Sequence, residues 1–331
     1  MVSRLALIVF VLIAAIVLPL SAQETEPTPI PEGYAFTDAS GTTIELDGPV
    51  SRVACVTDIC NDILWELGLQ PVAVKPNELA FRPEFWGEDA IEFVQIGGSF
   101  FEPSLEDIAS ASPDLVIGLV GVHDGLREGL SAIAPLYIML PSTPADSVAY
   151  LMDIGRLTDR QQEAEEAAAR FMARWEAYRS ASPRNVSVAL VYASPFGVSV
   201  SSHGGGGNPY GDILLSIAEY PFDASESQSD FGTFTMEQLL ERDPDVIFAM
   251  SADENGLQGA PINEVLANDP LWGQLSAVQN GAVYDVDPVL WAYGRGTRSL
   301  GLVLDQAMPI LYPDLFPEPL PEIEMTPEAD S

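Results

Sequence analysis

Lysine is almost missing from this chain: Lys75 is the only one in 331 residues. A phosphate loop needs Gly-Lys-Ser/Thr, and that string is absent. Histidine and cysteine stop at two each, too few for a multi-histidine or Cys/His zinc centre to be expected. Positive charge in general is scarce. Fourteen Lys and Arg stand against 49 Asp and Glu, a formal charge of −35. Such a surface repels nucleic acid and anionic lipid, so neither is an expected partner; it equally suits a solvated acidic surface. No G-x-S-x-G or H-E-x-x-H motif offers hydrolytic chemistry. Hydrophobic residues are plentiful at 47%, too many for a disordered chain, and the length leaves room for two sizeable cores.

The first residues read as a targeting segment. Arg4 precedes an apolar run over 5–20, then Ser21-Ala22-Gln23. The run is short for a membrane span and Leu-Ser-Ala fits a signal-peptidase site, so 1–22 reads as a signal peptide, with an uncleaved anchor as the rival. A lipoprotein would carry cysteine at position 23; Gln23 argues against lipid attachment. Residues 23–33, rich in Pro and Glu, read as a flexible tether. Export places Cys55 and Cys60 in an oxidising compartment, where a disulfide and two thiols both remain open.

Residues 143–182 read as a helix, a break at Gly155-Arg156-Leu157, and a longer helix. Thr158 with Gln161 fits a capping box. Ala164, Ala167, Ala168, Phe171, Trp175 and Tyr178 recur at helical spacing, and Pro183 ends the run. Glu163, Glu165 and Glu166 come early, Arg170, Arg174 and Arg179 late, as the helix dipole favours.

A repeat flanks these helices. Pro103-Ser104-Leu105-Glu106-Asp107-Ile108 is followed by Ser112-Pro113-Asp114 and an apolar run. Phe234-Thr235-Met236-Glu237-Gln238-Leu239 is followed by Asp243-Pro244-Asp245 and another. Each copy predicts a helix, a tight turn and a buried strand. Elsewhere strand-like and helix-like segments alternate, which argues for α/β lobes. The boundaries read as 34–141 for the first lobe, 142–182 for the linking helices, 183–314 for the second lobe and 315–331 for a disordered Pro/Glu-rich tail.

These residues resemble the class III substrate-binding proteins of ABC importers, the ferric-siderophore and cobalamin binders. The likeness rests on Gly48-Pro49-Val50-Ser51-Arg52-Val53 with the turn near Pro71-Val72, on the Glu102 to Leu119 segment, on Ile133-Ala134-Pro135, and on Leu290-Trp291-Ala292-Tyr293-Gly294-Arg295-Gly296 leading into the last helix. It implies two α/β lobes joined by a single long backbone helix, with the ligand groove between them. It also implies a protein that is not an enzyme and is a monomer, delivering a ferric siderophore to an ABC permease dimer. Iron would enter only inside the siderophore, with no resident cofactor. Cobalamin and haem are the alternatives. The hydroxamate branch is the nearest likeness, through Trp291 and Tyr293. Two departures stand out: that branch carries an arginine where Phe100 stands, and a tyrosine where His123 stands.

The expected ligand contacts are Trp291 and Tyr293, read as alternate residues of an extended loop facing one side. Arg295 is expected to meet an anionic chelate or to form an internal salt bridge. His123 is expected to donate to the ligand or to cap a helix. Phe100 and Phe101 line the groove or fill the core. Phe231 falls near a groove tryptophan of the family, and Arg82 is an anion contact or a surface arginine. The glycine run after His203 reads as a flexible loop, with His203 exposed. Glu106 and Glu237 are expected to dock on the permease. Read instead as a carboxylate pair, they would make a secreted hydrolase, the rival of another class.

Overall fold

A computed structural model describes residues 34–76, 78–195, 197–205, 208–229, 232–253 and 258–321. The predicted signal segment, the tether, most of the tail and Phe231 lie outside the described residues.

A hairpin of β1 (Tyr34–Thr37) and β2 (Thr43–Leu46) comes first. Five parallel strands follow: β3 (Val53–Cys55), β4 (Ala73–Val74), β5 (Val94–Gln95), β6 (Leu115–Leu119) and β7 (Leu136–Met139), in the spatial order β5-β4-β3-β6-β7. Helices α1 (Asp58–Glu66), α2 (Leu105–Ser110) and α3 (Arg127–Leu130) make the crossovers. The apolar runs of β3, β6 and β7 are covered on both faces, as parallel strands require. Val53, Cys55, Leu115, Ile117, Tyr137 and Met139 belong to one core cluster. Their chain neighbours Ala54, Val56, Val116, Leu136 and Ile138 belong to another, which is the two-residue alternation of strands. Cys55 and Cys60 are joined by a disulfide across the β3–α1 turn.

The chain leaves β3 toward β4 and β5, then crosses back to place β6 and β7 on the other side. The strand order therefore reverses between β3 and β6. In an open α/β sheet that reversal opens a crevice at the carboxyl ends of the strands, where ligands bind.

Helices α4 (Pro144–Leu157) and α5 (Gln161–Ala181) come next. Thr143 and Asp146 form a capping box at the start of α4, with Pro144 at its first position. The box expected at Thr158 and Gln161 is not formed. Arg160 occupies the N-cap of α5 without a side-chain bond, and the Thr158 hydroxyl donates back to the Ile154 carbonyl at 2.7 Å, closing α4. Ala164 and Ala167 of α5 pack into the first lobe's core, Phe171 and Tyr178 into the second's.

The second sheet runs β11-β10-β8-β9, from β8 (Val188–Ser194), β9 (Gly197–Val200), β10 (Val246–Ser251) and β11 (Val283–Asp285). Only β9 is antiparallel, as the return strand of a hairpin with β8. Helices α6 (Tyr210–Ile217), α7 (Met236–Arg242), α8 (Ile262–Val265), α9 (Ser276–Gln279) and α10 (Thr297–Leu311) complete this lobe. Helices α3 and α8 are single turns of four residues each. No helix among the described residues is long and apolar enough to cross a membrane.

The sequence repeat is a structural one. Ser104 caps α2 through the Asp107 N–H, and Thr235 caps α7 through the Gln238 N–H. Ser112 and Asp243 both take a left-handed backbone, with φ of 47° and 40°. The following Pro-Asp turn then does the same work in each lobe. Asp114 accepts from the N–H groups of Ser51 and Arg52, leading into β3, and Asp245 from that of Ser187, leading into β8.

Candidate functional site

The residues just past the strand ends define the site. Asp58 follows β3, Lys75 and Glu78 follow β4, Phe100 and Phe101 follow β5, and His123 follows β6. The second lobe supplies Tyr192 from β8, and Asp287 and Tyr293 from beyond β11.

Two contacts hold these elements, a tyrosine pair within the second lobe and Arg82 on Asp287 across the seam. The Tyr192 and Tyr293 hydroxyls are 2.9 Å apart, and burial with this neighbour pushes the Tyr293 phenol up, keeping it neutral. Arg82 grips Asp287 with two nitrogens, at 2.5 and 3.0 Å. Arg82 is therefore occupied by a protein carboxylate and is neither a lone surface arginine nor an open anion contact. Burial pushes the Asp58 carboxyl up to about 6, against the Leu79 N–H, Asn61 and the Arg82 charge. Burial raises Glu78 well above the usual carboxylate range too, with Asp58 adding to the effect and Lys75 opposing it.

Phe100, Phe101 and His123 form an aromatic ladder, with ring centroids 5.5 and 5.1 Å apart. Phe101 is 67% exposed and Phe100 half-buried, so the outer ring offers a face to a ligand. His123 does neither of the things expected of it. Its Nδ1 accepts from the Leu119 N–H at 3.0 Å, which leaves the proton on Nε2 to donate to the Phe100 carbonyl at 2.8 Å. The ring is fully buried, and burial lowers its pKa. It staples the β5 and β6 loops together and makes no side-chain helix cap.

Trp291 is also corrected. Residues Val289–Tyr293 form a π-helical turn rather than an extended loop, so positions 291 and 293 point to opposite sides. Trp291 turns inward with no exposed surface, packs on Phe248 at 4.9 Å, and donates from its indole to the Gln306 side chain at 2.7 Å. Tyr293 turns to the seam. Arg295 is half-buried and takes φ 55°; its Nε donates to the Ala292 carbonyl, and burial lowers its pKa. Its backbone N–H donates to the Tyr210 hydroxyl. His203 is half-buried against Tyr220 rather than exposed.

The sequence reading missed Lys75, Glu78, Asp58, Tyr192 and Asp287. One signal was available: a charged residue directly after a short apolar strand, and in Lys75 the only lysine. Two surface cavities, of about 720 and 420 Å³, lie along β11 with α10 and beside β2 with α3. Neither is lined by Lys75, Glu78, Phe101 or Tyr293. No group of three or more His, Cys, Asp or Glu able to hold a metal ion occurs among the described residues.

The chain is similar to characterised binding proteins over most of its length. It is 28% identical over 269 residues to the Fe(3+)-citrate-binding protein YfmC of Bacillus subtilis, covering 79% of this chain and 81% of that one. It is 27% identical over 258 residues to the Fe(3+) dicitrate-binding periplasmic protein FecB of Escherichia coli, covering 77% and 82%. Its fold matches that of Staphylococcus aureus SirA, crystallised with staphyloferrin B, with a TM-score of 0.65 at 21% identity over 84% of this chain and 98% of that one. The family model described as periplasmic binding protein matches residues 53–290. That span takes in the main sheet of each lobe with helices α1 to α9, and the chain belongs to the periplasmic binding protein family.

Proposed function

We propose that this protein is an extracytoplasmic, non-enzymatic binding protein that delivers a ferric siderophore or similar ferric chelate to an ABC importer. The observation that carries the reading is the set of strand-end side chains gathered where the two lobes meet: an aromatic ladder ending in the exposed Phe101, with a buried ammonium, on the first lobe's side, and a tyrosine pair on the second's. Such a set suits a bulky chelate that already holds its iron, because it offers rings and a few polar groups. The ferric citrate and staphyloferrin ligands named for the relatives support it.

On this reading residues 1–22 direct export, residues 34–141 and 183–314 are the lobes, and Glu106 and Glu237 face the permease. Tyr293 and Phe101 are the ligand contacts, with Phe100 behind Phe101. Arg82 acts indirectly by holding Asp287, and Arg295 by shaping the turn below Tyr293. No separate observation favours cobalamin or haem, or a carboxylate hydrolase.

The test is a thermal-shift panel of ferric dicitrate, a ferric trihydroxamate, a ferric catecholate, cobalamin and haem, with each iron-free chelator as control. A ligand at about 100 times its dissociation constant adds ~2.7 kcal/mol, which such a scan resolves. Stabilisation by a ferric chelate and not by its iron-free form is expected. Stabilisation by cobalamin or haem alone overturns the ferric reading.

A further inference from the structure

Lys75 stands immediately after β4, at the carboxyl edge of the first sheet, and is only 6% exposed. Its ammonium makes one hydrogen bond, a long one of 3.3 Å to the Ser99 carbonyl. None of the ion pairs among the described residues includes it. Several half-buried arginines, by contrast, have partners. Arg82 has Asp287, Arg127 has Asp38, and Arg174 has Asp305. Arg298 reaches the Glu84 carbonyl with two nitrogens and lies over the Trp65 and Phe85 rings.

Taking an ammonium out of water is costly unless a counter-charge and hydrogen bonds compensate. One carbonyl does not, and an ammonium carries three donors. The neighbouring acid Glu78 is biased toward its neutral form by burial and by Asp58. The carboxyl edge of this sheet, in a protein of formal charge −35, thus holds a buried positive charge that makes no ion pair among the described residues. The loop it touches through Ser99 is the one that carries Phe100 and Phe101.

We infer that Lys75 is the specificity-determining cation of the site, and that its ammonium binds a carboxylate oxygen of the ferric chelate. This rests on the ferric-chelate reading above. A carboxylate supplies the counter-charge and accepts the remaining N–H groups. A single peripheral carboxylate suits one ammonium.

The test uses the full chain with Lys75→Met and Lys75→Arg, titrated with ferric dicitrate and with ferrioxamine B, whose hydroxamates leave no free carboxylate. Lys75→Met is expected to weaken ferric dicitrate at least tenfold, and Lys75→Arg to restore most of the loss. The chelate-free Lys75→Met protein is expected to melt at or above the wild-type temperature, since it loses a buried unpaired charge; a lysine serving only to brace the Ser99 loop gives the reverse. A second readout needs no variant. Because the chain has one lysine, an amine-reactive ester modifies only Lys75 and the amino terminus, and peptide mapping should show Lys75 shielded by saturating ferric dicitrate. Wild-type binding of ferric dicitrate with Lys75 equally reactive, or equally tight binding by Lys75→Met, overturns the assignment alone. Wild-type binding confined to ferrioxamine B does the same. A wild type that binds no ferric chelate overturns the functional reading together with it.

Discussion

Asp62, on α1 of the first lobe, accepts from the Ser299 N–H at 2.8 Å, in the first turn of α10 of the second. The Arg298 N–H adds a bond at 3.2 Å, and the Ser299 hydroxyl donates to the same carboxylate. A carboxylate is favoured at a helix N-terminus, but here it comes from another lobe. Gly296 is required by the approach: a Cβ there would lie 2.0 Å from Asp62 Oδ1. Ser147 of α4 donates to the Arg295 carbonyl nearby. The segment leading into α10 is thus sewn to the first lobe as well as to its own.

Asp62→Ala should therefore destabilise the protein by about 3 kcal/mol, since it strips a buried helix start of its acceptor. Asp62→Asn keeps one acceptor oxygen and should cost about 1 kcal/mol. Urea unfolding measures both. Equal costs for the two variants would show that size, not hydrogen bonding, decides this contact.

A pH dependence follows from the same residue. Burial pushes Asp62 up to about 7 and Asp58 up to about 6. In the unfolded chain both titrate near 4, so between about pH 4 and 7 the folded state holds more protons than the unfolded one. Their contribution is present in full below pH 4 and is lost as pH rises through 6–7. Asp38 works the other way. Burial would raise it, but bonds from Ser40, Arg127, Thr42 and Ile138 outweigh this and hold it below its usual value, so its contribution is lost as pH falls below about 4. Stability of the chelate-free protein is expected to peak near pH 4–5, and Asp62→Asn should flatten the decline toward pH 8. An unaltered slope in that variant removes Asp62 as its source.

The fold was legible because its signals are local and repeated. The Pro-Asp turns, the capped helices α2 and α7, and the apolar runs of β6 and β10 each declare themselves within a few residues. The site was less legible because it depends on direction. Trp291 and Tyr293 were read as facing one side, but a π-helical turn sends them opposite ways, and no alternation pattern encodes that turn. His123 was visible as unusual. That both its nitrogens go to backbone groups depends on loops 23 residues apart meeting in space. Lys75 was noticed for its rarity alone, because a buried charge without a partner is a property of the folded surroundings.

The contrast between Trp291 and Phe101 is directly testable. Trp291→Phe loses the bond to Gln306 and some packing on Phe248, at a cost of about 1–2 kcal/mol in stability. Chelate affinity should stay within twofold. Phe101→Ala removes an exposed ring, so stability should hardly change, while affinity should fall about tenfold if the ring covers the ligand. Denaturation and titration of the same two samples separate the roles. A large affinity loss in Trp291→Phe with none in Phe101→Ala would reverse the assignment.

Glu106 and Glu237 occupy the same place in their two helices. Each is the second residue after the cap, Ser104 for α2 and Thr235 for α7, and each is exposed. Acids are common in a first helical turn, where the dipole favours them, and one such residue needs no further role. Two at identical register, in lobes built on the same turn and strand, would supply a matched pair of charges to the two-fold permease of the proposed function. Charges on an interface rim set orientation and association rate more than total affinity. Glu106→Arg combined with Glu237→Arg should leave chelate binding unchanged, because neither carboxylate is among the strand-end residues. Unfolding should be nearly unchanged too, since the caps themselves remain. Stimulation of the importer's ATPase and uptake into reconstituted vesicles should be lost, each single variant giving a partial loss. Full transport by the double variant would reduce both glutamates to first-turn acids, and weakened chelate binding would place them in the site instead.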